Sequence, residues 1–399
     1  MYLSLLLLQF TTVLALSGVA VGQNLTVDAD WRKPTTSLSQ SSRISIAQNA
    51  INALVPQLDS TTGEFNGIGY WQSGNAYSAM ALLDQVTHST TNKAVVVGNL
   101  KKVFGLRKNF DKFGFNDDAM WWATAAYYAY RAYGDTTLLA DAVATWNAVT
   151  PYVMTASQAQ SGKSPVKNFP LAGSCDGFTM AGGVFWRPTT DDKSINSITT
   201  GLYVTLSAYL AEVTGDAKYT NAAILSANWI KNHNINSGHI VLDSESGADC
   251  SRSSASWIFT YNSGKFIEGL AILYDHTKDP QWNQLMLDIV AAAVKNKSWQ
   301  GTNGIITEGG STSKNDDGVG FKAVFIRGLL QAYRKRAGDN ASLAKLLRSY
   351  IDVQYNALLD LASAGNDYSA KWVGPAPASF NSWGQLAALD VLVAAVGVN

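Results

Sequence analysis

The segment Phe113-Gly114-Phe115-Asn116-Asp117-Asp118-Ala119-Met120-Trp121-Trp122-Ala123-Thr124-Ala125-Ala126-Tyr127-Tyr128-Ala129-Tyr130 opens on two adjacent carboxylates and continues as an apolar, aromatic-rich run. From Ala119 onward its composition predicts a helix. Asn116 is the expected N-cap, and both acids fall in the first turn, where the helix dipole favours negative charge. Capping alone would account for an isolated Asp-Asp pair. Here, however, the pair stands beside Trp121 and Trp122, flat side chains of the kind that stack on sugars. The helix behind it is also too apolar to be a solvated surface helix. Paired carboxylates against aromatic walls suit glycosidic bond cleavage: one acid protonates the leaving oxygen, the other attacks or activates water.

Outward from this segment, Gly, Asp and Asn turns divide the chain into helix-length pieces with few alternating runs. Helices are expected at about 43–56, 75–88, 94–106, 117–133, 136–156, 195–214, 216–233, 263–277, 281–297, 321–337, 341–360 and 380–396. Similar joints recur: Tyr133-Gly134-Asp135, Thr214-Gly215-Asp216 and Ala337-Gly338-Asp339 each end a helix on Gly and start the next on Asp. Lys278-Asp279-Pro280 is a variant with Pro in the first helical position. Repeated tight joints imply antiparallel hairpins and a repeating architecture. The expected fold is all-α, an (α/α)6 barrel of six helical hairpins, with an open solenoid as the alternative. Closure is preferred because the long inserts 157–194, 234–261 and 299–320 fall between hairpins, where they would gather on one rim and build a cleft. No linker or low-complexity tract interrupts residues 23–399, which are read as a single catalytic domain.

Residues 1–22 are read as a signal peptide. An apolar run from Leu3 to about Ala20, broken by Ser4, Gln9, Thr11, Thr12 and Ser17, leads to small residues before Gln23. A membrane anchor is the competing reading, for which this run is short and interrupted. The mature chain is therefore expected to be secreted and free of the membrane. With 30 basic and 30 acidic residues it has no field to draw nucleic acid. Charged residues make up 15% of the chain, while 12 Trp and 17 Tyr supply stacking surface, a balance that suits an uncharged glycan better than a polyanion. A monomer without cofactor is expected. Cys175 and Cys250, an even number in an exported chain, are read as one bridge closing a long loop, with two buried free thiols as the alternative. Asn24, Asn296 and Asn340 begin glycosylation sequons. Four scattered histidines have no metal-ligand spacing, and no Gly-x-Ser-x-Gly elbow occurs.

Other constellations are weaker singly. Gly182-Gly183-Val184-Phe185-Trp186 lacks phosphate-loop spacing; its glycines would let backbone approach a sugar with Trp186 as a platform, or form a structural turn. Tyr70-Trp71-Gln72-Ser73-Gly74-Asn75 and Trp257-Ile258-Phe259-Thr260-Tyr261-Asn262 place aromatics, hydroxyls and an amide before a helix. Trp71, Asn75, Thr260, Tyr261 and Asn262 thus join Trp121, Trp122 and Trp186 as candidate sugar-binding residues, although Asn75 and Asn262 read equally as N-caps. Trp121 and Trp122 diverge by about 100° on a helix, so one is expected in the cleft and the other in the core. Asp191-Asp192 reads as a turn, and Asp316-Asp317 precedes a helix as the first acid pair does, without its aromatic neighbours.

With these motifs in view, the chain resembles glycoside hydrolase family 76, the endo-α-1,6-mannanases, and its secreted fungal branch. Besides the segments above, the resemblance runs through Asn196-Ser197-Ile198-Thr199-Thr200-Gly201-Leu202 and Phe321-Lys322-Ala323-Val324-Phe325-Ile326-Arg327. It implies an (α/α)6 barrel, an α-linked mannan as partner and a retaining mechanism with Asp117 as nucleophile and Asp118 as general acid/base. Neighbouring carboxyl groups agree with retention, which uses a separation of roughly 5–5.5 Å. Thr200 stands where Asn would be expected, and the segment from Cys175 to Gly183 is stretched; both bear on subsite specificity. A cell-wall transglycosidase, a hydrolase of another α-glycan and a non-catalytic carbohydrate-binding wall protein are the alternatives.

Overall fold

The computed structural model describes residues 23–312 and 315–399, so the leader expected at 1–22 lies outside the described residues. In chain order the helices are α1 (Gln40–Leu54), α2 (Tyr70–Thr87), α3 (Lys93–Leu106), α4 (Asn116–Tyr133), α5 (Thr136–Val149), α6 (Ala156–Ser161) and α7 (Ser197–Thr214). They continue as α8 (Ala217–His233), α9 (Thr260–Thr277), α10 (Pro280–Ala293), α11 (Gly318–Arg336), α12 (Ala341–Leu361) and α13 (Ser382–Gly397). The helix expected over 136–156 is thus split: Pro151 lies in a short 3-10 turn that ends α5 and leaves α6 as a separate piece.

Helices α2, α4, α7, α9, α11 and α13 pack each against the next, and α13 returns to α2, so the inner ring closes. The remaining long helices pack outside it, and the fold is an (α/α)6 barrel rather than an open solenoid. Five hairpins are consecutive in sequence; the sixth joins the two ends of the described chain, α13 against α1. Inner helices are buried around their whole circumference: α7 buries every residue from Ser197 to Ala211, and α13 every one from Gly384 to Val396. Two inner backbones come into direct contact. A Cβ on Gly264 of α9 would lie 2.4 Å from Phe325 Cα, and one on Gly328 of α11 would lie 2.0 Å from the Gly264 carbonyl oxygen, so only glycine fits this crossing.

Three of the four joints form as expected. Gly134 (φ 72°), Gly215 (φ 68°) and Lys278 (φ 58°) end α4, α7 and α9 in the left-handed region, and Asp135, Asp216 and Asp279 cap the following helices. The fourth departs: Asn340, not Asp339, caps α12, accepting from Leu343 N at 2.9 Å. The starts of α2, α9 and α11 lie three to five residues earlier than expected, taking Trp71, Thr260, Tyr261 and Asn262 into helix and moving Asn75 and Phe321 from the first position to the interior. Asn116 is likewise no N-cap. It is the first residue of α4, and its amide donates to the Phe185 carbonyl at 2.8 Å.

The barrel axis carries buried charge that is internally satisfied. Arg327 donates to Asp390 at 2.8 and 2.6 Å and to Asn75 Oδ1 at 2.6 Å, while Lys265 pairs with Glu268 at 2.8 Å. Tyr128 and Tyr209 also donate to Glu268. Removing one member of such a set would strand a buried charge. Among the described residues no helix is long and apolar enough to cross a membrane.

Candidate active site

The inner helices run parallel, so their N-terminal ends share one rim, and a cleft of about 340 Å³ opens there. The first turn of α4 places Asp117 and Asp118 in it. The 157–194 insert supplies Trp186, the 234–261 insert supplies Asp243 and Trp257, and the starts of α2, α9 and α11 supply Trp71, Tyr261 and Phe321. The N-caps of α2, α4 and α9 are Gly69, Phe115 and Phe259, none of which offers a capping side chain. Their positive ends are thereby left to face a cleft of negative charge.

Both carboxyls are pushed up, but their surroundings differ. Burial drives Asp117 up to about 7, opposed by hydrogen bonds to both its oxygens: Asp118 N–H donates to Oδ1 at 2.9 Å and Trp186 Nε1 to Oδ2 at 2.9 Å. Asp118 is pushed up to about 8, by burial first and then by the charges of Asp117, Asp317 and Asp111. Its side chain has no hydrogen bond among the described residues. Donors aimed at Asp117 favour its anion, while burial and neighbouring charge favour a proton on Asp118. Two carboxyls so placed can divide the tasks of nucleophile and acid.

Aromatic rings form the walls. Trp71 stacks on Trp121 at 5.5 Å and near Phe321 at 6.2 Å, and Phe321 stacks on Tyr261 at 3.9 Å. Trp186 packs against Phe115 at 4.8 Å, over which Arg187 lies at 4.0 Å. Lys265 sits 5.0 Å from the Trp121 ring, from the side of the barrel axis.

Of the sugar-binding residues expected from the sequence, Trp71, Trp121, Trp186 and Tyr261 line this cleft with the acid pair. The other four do not. Trp122 is fully buried between Tyr70 at 5.0 Å, Tyr77 at 5.7 Å and Phe110 at 6.0 Å, and donates to the Tyr70 carbonyl. Asn75 turns inward to Arg327, Thr260 is held by the Glu308 carboxylate, and Asn262 donates to Asp243 at 3.2 Å. Each lies one helical turn too deep, or on the wrong face, to meet a ligand. Gly182 and Gly183 are structural as well: a Cβ on either would strike Leu225, Ile195 or Trp229. Thr200 is buried and accepts from Val184 N at 3.1 Å, so its departure from the expected Asn does not touch the cleft.

Two further acids line the cleft that were not among the expected catalytic or binding residues, although the Asp316-Asp317 pair had drawn notice. Asp317 accepts from Trp71 Nε1 at 3.1 Å and Gln72 Nε2 at 2.6 Å; its signal was the second Asp-Asp pair ahead of a helix. Asp243, on the opposite wall, sits in a loop with no motif around it. Among the described residues the lining holds four carboxylates and no lysine or arginine.

Cys175 and Cys250 are bridged, with Cα atoms 5.7 Å apart. Asn24 is exposed, whereas Asn296 and Asn340 are half-buried.

Residues 166–397 match the family model described as Glycosyl hydrolase family 76. The acid pair lies ahead of that match, but structural likeness spans it. An inactive variant of an α-1,6-mannanase from Salegentibacter, with two consecutive aspartates replaced and α-1,6-mannotriose bound, is 16% identical over 90% of this chain and 100% of its own, with a TM-score of 0.73. The unsubstituted Salegentibacter enzyme is 18% identical with the same coverage and a TM-score of 0.71. Dfg5 from Chaetomium thermophilum, in complex with glucosamine, is 16% identical over 92% of each chain with a TM-score of 0.70. At these identities the likeness is one of fold. No curated protein sequence matches the chain.

Proposed function

The chain belongs to glycosyl hydrolase family 76 and is a glycosidase, and from that premise we propose that it cleaves α-1,6-mannosidic linkages with retention through Asp117 and Asp118. The observation that carries the reading is the unequal surroundings of the two carboxyls. Asp118 gives its proton to the glycosidic oxygen as Asp117 attacks the anomeric carbon, forming a glycosyl-enzyme and releasing the shortened glycan. Asp118, now ionised, takes a proton from water, whose oxygen displaces Asp117 and restores the starting anomer. Trp71, Trp121, Trp186 and Tyr261 supply stacking faces on either side of the pair. The mannan substrate is supported by what the Salegentibacter relative binds.

The test is incubation with linear α-1,6-mannan and α-1,6-glucan, with the first-formed anomer followed by NMR. Mannan should be cleaved with the α-anomer appearing first, and both Asp117→Asn and Asp118→Asn should lose several orders of magnitude in kcat while remaining folded. Inversion, or near-wild-type turnover in either variant, would sink the assignment. The same variants separate an enzyme from a protein that only binds glycan.

The four carboxylates favour a second reading, in which one sugar of the natural glycan carries an ammonium group or a sugar displaces water as acceptor. The glucosamine complex of Dfg5 is consistent with this. Longer products upon addition of an amino-sugar acceptor would support transfer; products of hydrolysis alone would not. An extracellular site of action is supported by the leader-like 1–22 segment, the disulfide and the sequons. A mobility shift on enzymatic deglycosylation of protein recovered from the medium would test both export and sequon use.

A further inference from the structure

We propose that the opposite end of the barrel is a second binding site, one that takes a small oxyanion. The C-terminal ends of α2, α4, α7 and α11 meet there around a pocket of about 160 Å³ whose lining carries three cations, Arg131, Arg334 and Lys335, and one carboxylate, Glu212. Cations at helix C-termini answer the helix dipole. Arg131 and Lys335 require nothing more, because both pair with Glu212 and Lys335 also reaches Asp275 at 2.8 Å.

Arg334 is different. It has no carboxylate partner among the described residues and donates only to neutral amides, Gln85 Oε1 at 2.9 Å and Gln331 Oε1 at 3.3 Å. Since arginine can only donate, the second contact fixes the orientation of the Gln331 amide. The end left over is an NH2 group, and it is a buried donor with no partner on a side chain only 4% exposed. Other unpaired buried donors, such as the indole N–H groups of Trp229, Trp282 and Trp372, lie on fully buried core rings, whereas this one belongs to a residue that lines a pocket. A solvent-facing guanidinium without a carboxylate partner and a buried, unpaired amide, one helical turn apart on α11, therefore line the same pocket. One negatively charged oxygen acceptor satisfies both. A neutral hydroxyl would satisfy the amide and leave the guanidinium charge unanswered, so the structure favours a phosphate or carboxylate group. None of these residues lines the catalytic cleft.

The experiment is isothermal titration of the full-length protein, in buffer free of other oxyanions, with inorganic phosphate and separately with glucuronate. Saturable one-to-one binding of at least one is expected. It should weaken about tenfold or more in Arg334→Gln and in Gln331→Met, the scale of losing one charge-assisted hydrogen bond. Both variants should keep wild-type glycosidase rates and melt cooperatively; Gln331→Met removes no hydrogen bond made by the amide NH2. A response to phosphate alone identifies a phosphate site, and one to glucuronate alone a carboxylate site. Absence of saturable binding to either, or wild-type affinity in both folded variants, overturns the proposal.

Discussion

Asp117 and Asp118 are chemically identical and adjacent, so any division of labour between them comes from their neighbours. The donors on Asp117 and the charges around Asp118 make pH the natural probe. The proposed mechanism requires Asp117 ionised and Asp118 protonated, which gives a bell-shaped profile. Replacing Trp186 by Phe keeps the ring but removes the N–H on Asp117 Oδ2, so the acid limb should move to higher pH. Asp317→Asn removes a negative neighbour of both carboxyls that acts more strongly on Asp118, so the alkaline limb should move to lower pH by roughly half a unit to one unit and the acid limb by less. An exchange of these two responses would mean that the roles are reversed. The same pair bears on stability. Folded carboxyls raised above their unfolded values hold protons that the unfolded chain releases, so stability is full near pH 4 and is lost as pH rises through about 7 and 8. Asp118→Asn escapes that loss. In calorimetry at pH 5 and pH 8, its melting temperature should gain on wild type as pH rises and exceed it at pH 8; a gap independent of pH would contradict the raised carboxyls. The Asp-Asp pair was legible because acids followed by tryptophans in an apolar helix have few other uses. Asp243 was not, since what makes it part of the cleft is a loop packed 126 residues further along the chain than Asp117.

At the scale of elements, three of the four candidates that miss the cleft, Asn75, Thr260 and Asn262, share one cause. Inner helices are buried on all sides, so no amphipathic stripe marks where they begin, and four (α2, α4, α9 and α11) open toward the cleft without a side-chain cap. Sequence signals for a helix start depend on a polar cap and a change of pattern, and both are missing here. Asn75 and Asn262 therefore looked like caps or sugar ligands when they are interior residues, in the second turn of α2 and the first turn of α9. The starts of the outer helices α5, α8 and α10, capped by Asp135, Asp216 and Asp279, fall within one residue of the expected ones. The Trp121–Trp122 pair shows helical periodicity deciding what composition cannot. Trp122→Ala should cost roughly 3–5 kcal/mol of stability, as a large core ring does. Trp186→Ala, on a half-buried insert, should instead raise KM and leave melting nearly unchanged. A large drop in melting temperature for Trp186→Ala with unaltered KM would make it a packing residue. The α9–α11 crossing offers a sharper test of packing. Gly264→Ala inserts a methyl group where Phe325 Cα already stands, and should destabilise by roughly 1–3 kcal/mol or more in denaturant titration, whereas an equal substitution at exposed, uncrowded Gly338 should not.

At the scale of the whole molecule, the barrel is held by hairpins that pack against their neighbours, but the cleft is built by inserts that belong to no hairpin. The 157–194 and 234–261 inserts meet across the site through a two-stranded ribbon, Ser194–Asn196 against Ser244–Ser246, through the Arg252–Asp176 ion pair at 3.0 Å, and through the disulfide. The ion pair is too exposed to contribute much. The disulfide closes a separation of 75 residues, which in the chain-entropy model is worth about 4 kcal/mol. Its two cysteines sit on the same inserts that carry Trp186 on one side and Asp243, Ser244 and Trp257 on the other. Replacing both cysteines by serine should therefore lower the melting temperature substantially and also raise KM, because the loops that present the walls gain freedom while the acid pair, fixed in α4, does not move. The predicted signature is a stability loss with kcat preserved and kcat/KM reduced. Equal falls in kcat and kcat/KM would place the effect of the bridge on the carboxyls themselves, and an unchanged melting temperature would show that the ribbon and core contacts hold the inserts without it.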